Sequence, residues 1–278
     1  MNFKTFEIIQ KVQVHIPFHL LQERYLPLVL ESRLQPEISF NYKSLDYFTK
    51  SDFIETAKRL SGSGLDVTLH APFHDLRPGA LDPKIRQLTV DRLKQVFDLI
   101  PFYRPKSIVC HPAFDAKYYV SAEQEWLENS VDTWTYFLSL VRDTETIIAL
   151  ENVYEDEPHL LHRLFSALAS PQLRFCFDTG HFNTFSRAPL EAWMGEMSGW
   201  ISQLHIHDND GSADTHLAVG EGTFPFLRFF REICDLNLNP IVTIEAHSEK
   251  TLMKALGNIE MLGLSSLIRS SNAVAGKS

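Results

Sequence analysis

The sequence predicts a single-domain α/β fold, a (β/α)8 TIM barrel. Eight short apolar runs alternate with helix-patterned stretches along 278 residues. Such alternation implies a parallel sheet, and eight units close naturally into a barrel, which needs about 250 residues. Six successive runs also end in a residue of metal-ligand type, a pattern that a barrel gathers at one mouth.

The elements follow in order. VQVHIP (12–17) and PEISF (36–40) are the first two strands, and Pro27 interrupts the helix pattern between them. KSDFIETAKRLSG (50–62) sets Phe53, Ile54, Ala57 and Leu60 at helical spacing, and Gly62 ends it. DVTLHAP (66–72) is the third strand. The next helix opens with Asp82 as cap and Pro83 in its first turn. SIVCHP (107–112) is followed by a helix opening at Ser121 with acidic residues in its first turn. TIIALEN (146–152), LRFCFDTGH (173–181), ISQLHIHD (201–208) and PIVTIEA (240–246) are the remaining strands. Helical stretches at 158–170, 224–234 and 248–259 complete the alternation. An open doubly wound sheet is the alternative, but no strand leads into a glycine-rich phosphate loop. Residues 1–265 read as one barrel and 266–278 as a flexible C-terminal tail.

Composition narrows the function. Hydrophobic residues make up 44%, enough for a sizeable core, and no apolar run approaches the ~20 residues of a membrane span. Three cysteines without regular spacing argue against a disulfide framework. With no signal-like N-terminus, they suggest the cytoplasm. A net charge of -9 weakens the case for a nucleic-acid partner.

The strand ends carry the chemistry. They are His70, His111, Glu151, Asp178, His205 and Glu245. Gathering three carboxylates in low dielectric without a cation is strongly unfavourable, and a divalent metal resolves the conflict. Asp178 and His181, in DTGH, form a pair if Gly180 turns the chain back over the mouth. Asp214 and His216, in DTH, alternate on an extended segment and can point the same way. The polar stretch IHDNDGSADTHLAVGEG (206–222) therefore reads as a supplier of ligands or substrate contacts. GEG at its end reads as a tight turn, with Glu221 structural.

VTLHAPF, IVCHP, IALEN, FDTGH, LHIHDNDG, DTHLAVGEG and VTIEAH, spanning about 65–250, resemble the xylose-isomerase-like barrel superfamily. It includes sugar and sugar-phosphate isomerases and epimerases, and endonuclease IV. For the sugar enzymes, the resemblance implies one divalent ion (Mn, Mg, Co or Zn) held by Glu151, Asp178, His205 and Glu245. Glu151 and Glu245 would move the substrate proton, and His70 and His181 would hold the substrate. For endonuclease IV it implies three zinc ions. His70, His111 and Glu151 would hold one, and Glu151, Asp178, His205 and Glu245 the second. His181, Asp214 and His216 would hold the third. HPAF and ENVYEDEP depart from the repair enzymes' small-residue loops.

The reading is a metal-dependent isomerase or epimerase of a small sugar or sugar phosphate. A trinuclear-zinc phosphodiesterase at abasic DNA is the alternative, and a metal-bound barrel without turnover a third. Arg77, His74 and Arg187 are candidates for an anionic substrate group, and Phe73 or Trp193 for an apolar contact. Glu155, Asp156 and Glu157 are expected to repel a polyanion. A homo-oligomer is compatible with the sequence.

Overall fold

All eight apolar runs form strands in the computed structural model, which describes residues 6–269. They are β1 (Gln13–Pro17), β2 (Gln35–Ser39), β3 (Thr68–His70), β4 (Ser107–Cys110), β5 (Ile147–Glu151), β6 (Leu173–Asp178), β7 (Ile201–Ile206) and β8 (Ile241–Ile244). The strands pair in chain order as a closed parallel barrel. β8 returns to β1 through Gln13 opposite Thr243 and Val14 opposite Ile244.

Strand alternation divides the barrel into two environments. On β6, Phe175 and Phe177 point outward and pack on Trp193. Cys176 and Asp178 take the opposite face, and Cys176 joins Val109 and Ala149 in a small cluster apart from the main core. The outer shell is apolar and rich in phenylalanine, with Phe165, Phe175, Phe177, Phe229 and Phe230 fully buried. The mouth lies where the strands end and the chain enters the βα loops.

The helices follow the expected pattern with three informative differences. After β1 the chain forms a short helix (Phe18–Leu20), a π-helical turn (Leu21–Tyr25) and a second helix (Leu26–Ser32). Pro27 has no N–H, and its ring crowds the carbonyl four residues back; the widened turn accommodates both. The helix Glu123–Val141 starts later than Ser121, with Ala122 at its cap and no capping side chain. Burial of Trp126, together with the turn closed by Ala122 N–H to the Tyr119 carbonyl (2.9 Å), sets its start. At the C-terminal end the chain stays packed past residue 265. Leu264 and Ile268 are buried, and the Cys234 thiol contacts the Leu267 carbonyl at 3.3 Å. The rest of the expected tail, 270–278, lies outside the described residues. Among the described residues, no helix is long and apolar enough to cross a membrane.

The helix Lys50–Gly62 is opened by a capping box. Asp52 accepts from the Thr49 backbone N–H at 2.7 Å, and Thr49 Oγ1 accepts from the Asp52 N–H at 3.3 Å. Thr49→Ala removes one half of this exchange. It should cost about 1 kcal/mol, read as a lower urea midpoint at unchanged slope.

Candidate metal centre

Glu151 ends β5 with its carboxylate buried at the centre of the mouth. Four histidines from different elements converge on it. His70 Nε2 and His111 Nε2 each lie 3.2 Å from Oε2. His205 Nδ1 lies 3.4 Å from the same oxygen, and His181 Nδ1 lies 3.1 Å from Oε1. His205 Nδ1 also faces Glu245 at 3.2 Å and Asp178 at 3.9 Å. The strand-end residues expected to meet do meet.

The loop residues meet them. Asp178 caps the short helix Thr179–Phe185, its Oδ1 accepting from the His181 N–H at 2.6 Å. That cap turns His181 over the mouth, where its Nε2 lies 3.5 Å from Asp214. Asp214 Oδ2 is 3.2 Å from His216 Nε2. The segment carrying these two is not simply extended, since His216 has a left-handed φ of 49°. All nine expected ligands thus occupy one mouth.

Gly180 works by size. It lies inside the Thr179–Phe185 helix, and a Cβ there would sit 1.9 Å from His207 Cε1. The backbone of this turn passes directly against the His207 ring. His207, inside the polar stretch 206–222 but outside the nine expected ligands, lies two residues after His205, just past the end of β7. Its Nε2 is 3.0 Å from Asp178 Oδ1, and its Nδ1 is 3.6 Å from Asp214 Oδ1. It stacks on His216 at 3.7 Å, and His216 stacks on His247 at 4.0 Å. His15, His247 and Glu37 were passed over. His15 and Glu37 are ionisable residues inside otherwise uncharged strand runs, VQVHIP and PEISF, a signal available in the sequence.

The loop after β7 is built around Asp208. Its buried carboxylate accepts backbone N–H bonds from Asn209, Gly220, Gly222 and Phe224 at 2.8–3.2 Å. Gly220 has φ +82°, and a Cβ on Gly222 would sit 2.1 Å from the Asn209 carbonyl. Glu221 pairs with Lys254 on the surface, a structural role as expected.

Other candidates fall elsewhere. The Arg77 guanidinium lies over the Tyr118 ring, 4.4 Å from its centroid. Arg187 is exposed in a cleft with Lys117 and Tyr154. No ion pair among the described residues joins either arginine to the nine. Phe73 is at the mouth, stacked on His111 at 4.4 Å and on His74 at 4.3 Å. Trp193 is not there; it is fully buried outside the barrel, donating to Ser186 Oγ at 2.8 Å. Glu155 is not a surface charge either. It is 3% exposed, accepts from the Val153 N–H, and burial pushes its carboxyl up to about 7.

The donor set fits a divalent ion. His111 Nε2, His205 Nδ1, His207 Nδ1, His216 Nδ1 and Asp214 Oδ1 are buried without an aligned hydrogen-bond partner. Orphaned buried groups of this kind are costly and call for a ligand. The groups His70–His111–Glu151, Asp178–His181–His207 and His207–Asp214–His216 each bring ligand atoms within 4.8 Å of one another. Oxygen and imidazole donors suit Mn, Mg, Co or Zn. In the metal-free protein, burial opposes charge on Glu151, but His205 and His111 overcome it and hold the carboxylate well below its usual range. Burial likewise opposes the charged forms of His205 and His181. Glu37, Glu151 and Glu245 around His205, and Asp178 and Asp214 beside His181, raise both well above 6.5.

A model of the xylose isomerase-like TIM barrel family matches residues 36–262. An uncharacterised protein of Methanocaldococcus jannaschii is 26% identical over 198 residues, 69% of this chain and 68% of its own. Fructoselysine 3-epimerase of Escherichia coli O157:H7 is 33% identical over 57 residues, 20% of this chain and 21% of its own. A solved D-tagatose 3-epimerase-like protein superposes with a TM-score of 0.77 at 20% identity, covering 92% of this chain and 98% of that one. That likeness is one of fold.

Two outcomes follow from this geometry. Gly180→Ala should displace the His207 ring and destabilise the protein by about 1–3 kcal/mol, with weaker metal uptake in a titration; an unchanged titration would count against the close approach. Protons on His205 and His181 stabilise the chelator-treated protein. Their folded pKa values lie above 6.5, so that stabilisation is fully present below about 6.5 and is lost as pH rises through the folded values. The urea midpoint with chelator should fall across that window, and a saturating divalent ion should flatten the fall.

Proposed function

Since the chain belongs to the xylose isomerase-like TIM barrel family, we propose that it is a divalent-metal-dependent isomerase or epimerase of a small sugar or sugar phosphate. The observation that carries this reading is the pair of buried carboxylates, Glu151 and Glu245, facing one His205 nitrogen at 3.4 and 3.2 Å. The names of the similar proteins support it: a fructoselysine 3-epimerase and a D-tagatose 3-epimerase-like protein.

Glu151, Asp178, His205 and Glu245 would hold the ion. A divalent ion there polarises a substrate carbonyl and acidifies the neighbouring C–H bond. Glu151 accepts the carbon-bound proton, and the electron pair it leaves moves toward the carbonyl. Glu245 returns a proton. Delivery to the opposite face of the same carbon re-forms the carbonyl and inverts that carbon; delivery to the former carbonyl carbon, with the neighbouring hydroxyl's proton passing to the former carbonyl oxygen, relocates the carbonyl. His70 and His181 hold substrate hydroxyls, and Phe73 supplies an apolar wall beside His111. Both carboxylates are held below the usual range, Glu245 by His205 and His15 against the effect of burial. Glu151 is therefore ready to act as base at neutral pH, while Glu245 takes a proton from solvent before it delivers one, and Glu151 afterwards gives its proton back to solvent.

The convergence of all nine ligand-type residues favours one second reading, a three-zinc phosphodiesterase. Metal count separates the two. Elemental analysis should give one ion per chain, and three zinc ions would favour the second reading. Asp178→Asn should strip the ion whereas His111→Gln leaves it bound; equal loss in both variants points to a cluster. Glu151→Gln should weaken metal binding and abolish turnover, and unchanged values for both would sink the metal-centre reading. With a ketose or aldose panel, a carbon-bound proton should exchange with solvent deuterium only in the metal-loaded protein. Incision of abasic DNA with no change in any sugar would overturn the reading.

A further inference from the structure

Below the mouth, the barrel interior is polar where TIM barrels usually stack branched apolar side chains. Gln13, Glu37, Thr68, Ser107, Gln203 and Thr243 are all buried there. Glu37, on β2, is fully buried and makes no ion pair with lysine or arginine among the described residues. Its cationic-type partner is His205, whose Nε2 lies 3.0 Å from Oε1 and 3.2 Å from Oε2. Neutral groups complete its surroundings. The Gln203 amide donates to Oε2, and the Thr68 hydroxyl, which donates to Gln13 Oε1 at 2.6 Å, lies 3.1 Å from the same carboxylate oxygen. The Gln203 amide is oriented in turn by Ser107, which donates to its Oε1 at 2.5 Å.

A carboxylate buried this deeply costs several kcal/mol unless its surroundings compensate, so packing alone is a poor reason to have one. The geometry supplies another reason. The two nitrogens of His205 face opposite ways: Nε2 toward Glu37, and Nδ1 toward Glu151, Glu245 and Asp178. A carboxylate at one imidazole nitrogen fixes the proton there, orients the ring and raises the basicity of the other nitrogen.

We propose that Glu37 is a positioning residue that holds the Nε2 proton of His205 and so presents the Nδ1 lone pair to a divalent ion at the mouth. This deepens the metal-dependent reading above and rests on it. Glu37 does not touch the ion or the substrate; it acts through His205. Gln203 and Ser107 fix the carboxylate and so form the outer part of the same support.

The test uses Zn2+ as a diamagnetic probe on the full chain, wild type and Glu37→Gln. Gln keeps the shape but removes the charge. Competition titration against a chelating dye should show zinc affinity about 10–100-fold lower in Glu37→Gln. Thermal unfolding of the metal-free variant should come at a lower temperature, because Glu37→Gln removes one partner of the buried pair with His205, so zinc affinity is read well below that transition. A merely structural role predicts the same loss of stability in a protein whose folded fraction binds zinc as before. Independently of any variant, nitrogen-15 NMR of the zinc-loaded wild type should find His205 protonated at Nε2 and ligated at Nδ1. Unchanged zinc affinity in Glu37→Gln, or ligation through Nε2, overturns the positioning role and leaves the metal-dependent reading standing. No zinc uptake by wild type overturns both. If Glu37→Gln does not fold, the wild-type NMR result decides alone.

Discussion

A buried carboxylate that several imidazoles approach at once is the interaction around which the rest of this molecule is arranged. Glu151 is 1% exposed, and His70, His111, His181 and His205 all lie within 3.4 Å of its oxygens. A charge removed from water needs opposite charge near it. Protons on His70, His181 and His205, which the surrounding carboxylates favour, supply it in the metal-free protein, and a cation would supply it more directly. Glu245, Asp178 and Asp214 add negative charge to the same small volume. The mouth is therefore both the least apolar part of the interior and the part with most to gain from a bound ion.

The fold bears that concentration of charge because a parallel barrel separates two tasks. Outward-facing residues such as Phe175 and Phe177 pack against helices and provide the apolar burial that stabilises the domain. Inward-facing residues are free to be polar. Rigid loop supports then hold the ligands from above. Asp208 gathers four backbone N–H groups, and the Asp178 cap starts the turn that carries His181. Positions that must be within half an ångström of their working geometry are best fixed by such buried hydrogen bonds.

Much of this was legible in the sequence, for a specific reason. Strands buried on both faces read as apolar runs, so a histidine or carboxylate at the end of one stands out. Six did so at equivalent places, and the barrel brings equivalent places together. Less regular features were harder to read. Trp193 looked available for a ligand, but its Nε1 is satisfied by Ser186 and its rings by the phenylalanines around it. Glu155 looked like surface charge, but the loop turns it inward onto its own backbone. Arg77 looked like an anion contact, but an aromatic ring lies beneath its guanidinium. The directions of Glu155 and Arg77 depend on loops whose course no local pattern encodes, whereas Trp193 lies in the helix Leu190–Met197 on the apolar face it shares with Leu190, Met194 and Met197.

Strand number and order, the barrel class of fold and nine of the residues at the mouth are readable from the amino-acid sequence. Those follow from periodicity and from burial, which act residue by residue. That Gly180 is small to admit His207, that His207 joins the mouth, and that Glu37 stands behind His205 emerge with the folded chain. These are contacts between the segments at the ends of β6 and β7 and between β2 and β7. The last pair is 168 residues apart in the chain, and strand alternation states only that each side chain points inward. Which two meet depends on the barrel's stagger and its packing, and those exist only once the sheet has closed.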